Sequence, residues 1–120
     1  MKLAFPVVGT DLSSPLDGRF GRAPRFLIVE TDSNAFTVLE NARNTDASQG
    51  AGIQSAQVVI GSGAAALVTS HCGPKAFKVF QSAKFPVLQS PIAPVSELIE
   101  QFKAGSLKEM TAPDNAGHAG

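Results

Sequence analysis

A histidine, the only cysteine and a lysine fall within one short segment, Ser70-His71-Cys72-Gly73-Pro74-Lys75. Residues 64–68 before it form a short apolar run of the buried-strand type. Pro74 after it has the fixed φ favoured at the first position of a helix. The segment therefore reads as a strand-to-helix turn. Gly73 lets the backbone approach a ligand with no side chain in the way. Free N–H groups and the positive end of a helix dipole converge on such a turn, which outlines an anion site. A thiol in that place adds affinity for a soft metal or a metal-sulfide anion. Lys75 and the helix start are expected to lower the Cys72 pKa; the bland alternative is a small buried hydrophobe. Neighbours in an extended segment point apart, so His71 and Cys72 do not suit a catalytic pair. Both stand as candidate metal ligands, with a third that the spacing does not identify.

Two other stretches carry chemistry of the same kind. Arg19, Arg22 and Arg25 cluster in or beside a loop rich in Gly, Ser, Pro and Asp, and could hold an anion through charge-assisted bonds. Local pairing with Asp11 or Asp17 is the alternative. Gly50-Ala51-Gly52-Ile53-Gln54-Ser55 begins like a dinucleotide fingerprint, but Ser55 occupies the third glycine position and no clear strand precedes it. It reads better as a glycine-rich helix start that exposes N–H groups.

The elements that must position these residues follow from pattern. Strands are expected over residues 2–8, 26–31, 35–40, 64–68 and 85–88. Helices are expected over 52–60, 74–83 and 94–104. The last helix is the clearest: Val95, Leu98, Ile99 and Phe102 repeat at helical spacing, and Gly105 suits its cap. The order β-β-β-α-β-α-β-α implies a hairpin followed by right-handed crossovers, hence a mixed five-stranded sheet with helices on both faces. Ligands in such α/β sheets bind beyond the carboxyl ends of parallel strands. The loop after strand one and the cysteine turn after strand four should both lie there. One domain is expected over residues 1–110, with a flexible tail over 111–120.

Composition narrows the classes. The chain has 120 residues, zero formal net charge, eight Phe and neither Trp nor Tyr. A nucleic-acid binder should show a basic excess, so none is expected. A lone cysteine excludes an intramolecular disulfide, a closed Cys-rich zinc site and a cluster held by four thiolates of one chain. It fits a reducing compartment, and with no signal peptide or membrane span the expected location is the cytoplasm. Hydrolysis lacks its parts: residues 2–8 and 64–68 carry no carboxylate, and there is no nucleophile elbow or phosphate-binding P-loop.

Taken in order and spacing, Arg19-Phe20-Gly21-Arg22-Ala23-Pro24, Gly50-Ala51-Gly52-Ile53-Gln54-Ser55-Ala56-Gln57 and Gly73-Pro74-Lys75-Ala76-Phe77 resemble the dinitrogenase iron-molybdenum cofactor biosynthesis family. The resemblance spans roughly residues 1–108 and implies a ribonuclease H-like α/β fold. Within the family the chain is most similar to the orange proteins. The resemblance thus implies a non-enzymatic protein holding a molybdenum–copper sulfide cluster, with an iron-molybdenum cluster or precursor as the alternative. It also implies a cluster-binding set of Arg19, Phe20, Gly21, Arg22, Gly50, Gly52, Ile53, Gln54, His71, Cys72, Gly73, Pro74 and Lys75.

The chemistry of such a guest is consistent with this. A sulfide-rich anion brings its own sulfides, so it needs positive charge, N–H donors and an apolar wall. Arg19, Arg22 and Lys75 could give the first, the two glycine turns the second, and Phe20, Ile53 and Phe77 the third. The chain is expected to be a monomer, with protein partners in cluster assembly or delivery and no membrane partner. Rival readings are an anion-sensing adaptor and a thiol enzyme using Cys72.

Overall fold

The computed structural model describes residues 1–41 and 50–113. The apolar run at the N-terminus forms β1 (Lys2–Val7), the strand at the heart of the sheet. A 3₁₀ turn at Phe20–Arg22 leads into β2 (Arg25–Glu30) and β3 (Phe36–Glu40). Then follow α1 (Ala51–Ile60), β4 (Ala66–Thr69), α2 (Pro74–Ser82), β5 (Val87–Gln89), α3 (Val95–Lys103) and β6 (Lys108–Glu109).

The sheet order is β3-β2-β1-β4-β5-β6. The hairpin expected at strands two and three is present, with Leu27 opposite Val38. β1 runs antiparallel to β2 and parallel to β4, which is parallel to β5. Pro6 is accommodated because the β1–β4 pairing stops at Ala4, so the missing N–H falls past that ladder.

The expected five strands are corrected to six. The added strand is only two residues long, pairing Leu88 with Glu109 and Gln89 with Lys108 at the sheet edge. A two-residue strand has no alternation to detect, and here it exists because β5 offers an open edge. Met110, just past it, donates its N–H to the Val87 carbonyl at 2.7 Å and is buried.

Alternation along the strands splits the core into two clusters. Phe26, Ile28 and Leu67 face α1 and α2, where they meet Val59, Phe77 and Phe80. Leu3, Phe5, Leu27 and Val29 face the other side, where they meet Val95, Leu98 and Ile99 of α3. Helices therefore cover both faces, as expected. Among the described residues, no helix is long and apolar enough to cross a membrane. Thr111, Ala112 and Pro113 are described; the rest of the expected tail, with His118, lies outside the described residues.

Candidate anion-binding site

β1 and β4 are parallel, so the loops after them leave the same edge of the sheet. There they meet the starts of α1 and α2 around a cavity of about 480 Å³. Its walls are Gly18, Arg19, Phe20, Gly21, Arg22, Gly52, His71, Gly73, Pro74, Lys75 and Ala76. Among these described residues three are basic and none carries a carboxylate, in a chain of zero formal net charge.

The arginine turn is held by both apolar and polar means. Phe20 is buried, with its ring 5.7 Å from Phe26 and 5.6 Å from Phe80. That aromatic contact pins the turn to the core. Asp17, itself buried, accepts the backbone N–H of Arg19 at 2.9 Å and its Nε–H at 3.4 Å. Beneath the turn, Asn41 Nδ2 donates to the Ala23 carbonyl and to Ser55 Oγ, both at 2.9 Å. Ser55 Oγ lies 3.4 Å from the Gly21 carbonyl, to which it donates. Ser55 thus clamps α1 to the turn, which is why a serine stands where a nucleotide fingerprint has glycine.

Gly21 allows the closest approach. A Cβ there would lie 3.0 Å from Gly52 Cα and 3.1 Å from Gly52 N. Gly52 in turn leaves room for Ala76, whose Cβ would be 3.4 Å from a Cβ at position 52. These small residues bring the two helix starts together at the cavity floor.

Among the described residues, no side chain caps either helix start. Neither α1 nor α2 has an acidic residue in its first turn, whereas α3 has Glu97 there. The first helical bond of α2 runs from Phe77 N to the Gly73 carbonyl at 2.9 Å, so the N–H groups of Lys75 and Ala76 precede it. Gly73 is extended rather than left-handed, with φ −67°, and a Cβ there would meet nothing within 4 Å.

The expected site residues do not all converge. Arg19, Phe20, Gly21, Arg22, Gly52, His71, Gly73, Pro74 and Lys75 line the cavity. Gly50 does not; it begins α1 with φ +79° and gives its carbonyl to Gln54 N at 2.8 Å, so both serve the helix start. Ile53 lies on a neighbouring apolar groove with Ile60, Lys75 and Val79. Phe77 is buried in the core below. Arg25 is drawn away onto β2, where its Nε lies 3.2 Å from Glu40 and its Nη1 donates to the Val8 carbonyl.

The lowered thiol pKa expected for Cys72 is corrected. Cys72 is fully buried within the cluster under α1 and α2, and it is absent from the cavity lining. Burial pushes its thiol up to about 12, because the interior disfavours the thiolate. Among the described residues, no three His, Cys, Asp or Glu side chains are placed to hold a metal ion together. Gly18 was not singled out from sequence; its place just ahead of the arginine motif was the one available signal. Asp17 was expected only as a local partner of the arginines, and it pairs with Arg19. Ala76 stood in the Gly73–Phe77 motif without a role of its own, and it lines the cavity.

The sequence model of the family described as "dinitrogenase iron-molybdenum cofactor" matches residues 1–105. The chain is 31% identical over 111 residues to an uncharacterized protein of Methanocaldococcus jannaschii, covering 91% of each. It is similar in structure to the apo form of the orange protein of Desulfovibrio gigas, with TM-score 0.90 and 34% identity over 94% of this chain and 95% of that one. It is also similar to a Thermotoga protein of the DUF35 family, with TM-score 0.78 and 34% identity over 92% of this chain and 94% of that one. The family match covers the arginine turn and both helix starts, and so this chain belongs to the dinitrogenase iron-molybdenum cofactor family.

Proposed function

We propose that this protein binds and carries an anionic molybdenum-containing sulfide cluster in the cavity between the arginine turn and the two helix starts. One observation carries the reading: among the described residues, a lining with Arg19, Arg22 and Lys75, two helix starts without a side-chain cap and no carboxylate. Family membership and the likeness to the orange protein support a molybdenum-containing guest. A molybdenum–copper sulfide cluster is the form we favour, with an iron-molybdenum cluster or precursor as the alternative.

The chemistry requires no thiolate cage. Sulfide ligands already complete the metal's coordination and leave a large, polarisable, negatively charged surface. Guanidinium groups and helix N–H groups suit that surface. Phe20 and Pro74 add apolar wall. His71 is the lining residue that could offer nitrogen to copper. Cys72, buried and protonated, contributes shape rather than ligation.

The test is titration with tetrathiomolybdate, alone and with copper(I), followed by its visible absorbance. Each charged contact is worth roughly 1.5–3 kcal/mol. Arg22→Ala and Lys75→Ala should each weaken binding about tenfold or more, and added salt should weaken it further. Cys72→Ala should bind nearly as the parent does. Loss of all binding in Cys72→Ala, with both charge variants unaffected and all three folded by circular dichroism, would replace this reading with direct thiolate ligation. Metal analysis of protein isolated without oxygen then identifies molybdenum's companion.

A further inference from the structure

Helices α1 and α2 form a surface groove of about 570 Å³ between them. Ile53 and Ile60 line it from α1, and Lys75, Lys78, Val79 and Ser82 from α2. The three apolar residues are half-buried, whereas Lys75, Lys78 and Ser82 are exposed. Ile53 and Ile60 lie about two helical turns apart, roughly 10 Å along α1. The four residues of α2 repeat at i, i+3, i+4 and i+7, so they share one helix face. The groove thus runs along both helices. Lys75 also lines the anion cavity, so groove and cavity adjoin at that residue.

Charge and composition narrow the occupant. α1 carries no charged residue, and the only charged residues of α2 are Lys75 and Lys78. Among the described residues, no carboxylate lines the groove and neither lysine is held in an ion pair. An acidic partner is the complement of such a face. The chain does not supply one itself. Segments 42–49 and 114–120 contain no apolar residue larger than alanine, so neither can fill an apolar groove. A second copy is no better suited. Among the described residues the helical carboxylates are Glu97 and Glu100 of α3, and the apolar residues beside them, Val95, Leu98 and Ile99, are buried in the core. A bilayer is flat, whereas these apolar residues are recessed between two helices and suit a narrow ridge of side chains.

We infer that this groove docks an amphipathic helix of a partner protein, with apolar anchors on one face and carboxylates flanking them. Anchors at i, i+4 and i+7 on the partner match the length between Ile53 and Ile60. Docking also has a consequence that rests on the proposed function of the cavity. Partner carboxylates at Lys75 engage a charge that the anionic guest uses, and they repel the guest itself. Docking therefore lowers guest affinity, and the guest lowers partner affinity by the same factor. Arrival of the partner favours release of the guest beside it.

The test is amide NMR of the full chain with a synthetic helical peptide, leucines at i, i+4 and i+7 and glutamates flanking them. A control peptide carries lysine in place of each glutamate. The acidic peptide should give saturable shifts at Ile53, Ile60, Lys78 and Val79, and the control should bind at least tenfold more weakly. Lys78→Ala should weaken the acidic peptide about two- to fivefold and leave tetrathiomolybdate affinity unchanged. Lys78→Glu should weaken the acidic peptide about tenfold or more and tighten the control. Saturating tetrathiomolybdate should weaken the acidic peptide about threefold or more, and Lys75→Ala should abolish that coupling. Absence of shifts at the groove, equal binding of both peptides, or unchanged affinity in both Lys78 variants would each overturn the inference. So would groove shifts that grow with protein concentration alone, which mark a second copy, or groove shifts with phosphatidylglycerol vesicles but not with the peptide. Peptide binding that tetrathiomolybdate does not weaken would overturn the link to the cavity. Groove binding in a protein that fails to take up tetrathiomolybdate would leave the docking site standing and remove the cluster-binding reading.

Discussion

Cys72 and Asp17 show how far a single side chain can differ from what its type suggests. The turn around Cys72 was legible from Gly73-Pro74, but the direction of its thiol was not. A loop residue can face a ligand or the core, and packing against α1 and α2 decides which. The consequence is a pH dependence. The thiol titrates near 9.0 when unperturbed and is pushed up to about 12 here. The folded state therefore holds a proton that the unfolded chain loses above pH 9. Stability from this group is complete below pH 9 and falls by roughly 1.4 kcal/mol per unit as pH rises toward 12. Urea unfolding at stepped pH should show that slope in the wild type and not in Cys72→Ala. Asp17 presents the opposite case: its buried carboxylate braces Arg19 and brings negative charge close to the proposed anion site. Asp17→Asn keeps an acceptor for the Arg19 N–H while removing the charge. Tetrathiomolybdate should then bind roughly three- to tenfold more tightly, as an equilibrium titration would show.

At the scale of elements, the glycines divide by role. Gly21 is packed against the α1 backbone, so Gly21→Ala should force the arginine turn outward. A loss of about 1–3 kcal/mol in chemical denaturation is expected, together with weaker anion binding. Gly73 faces open space with an ordinary φ, so Gly73→Ala should leave the melting temperature unchanged and yet crowd the guest. Asn41→Ala should behave like Gly21→Ala, because it removes the donor that ties the turn to Ser55. The long helices and the hairpin were legible because each repeats a clear period over many residues. Two short elements were not. The 3₁₀ turn depends on Phe20 reaching Phe26 and Phe80, and β6 depends on a free edge of β5. Both are tertiary events with no local pattern. The same limit explains the site: Gly52 and Lys75 were readable from motif, whereas the departure of Arg25 toward Glu40 is a matter of strand register.

The molecule as a whole puts its two faces to different uses. The cavity rests on the face of α1 and α2, while α3 closes a separate apolar cluster on the other side. Leu98→Ala should therefore cost about 2–5 kcal/mol in unfolding free energy while leaving the affinity of the folded protein nearly unchanged. Cavity residues come from positions 18–22, 52, 71 and 73–76, and only the assembled sheet brings them together. Assembly needs still later residues, because β5 and α3 complete the sheet and its second face. A growing polypeptide on the ribosome thus has no formed cavity until β5 and α3 have emerged. If the proposed function holds, the order of synthesis itself keeps a cluster off chains that have not reached α3.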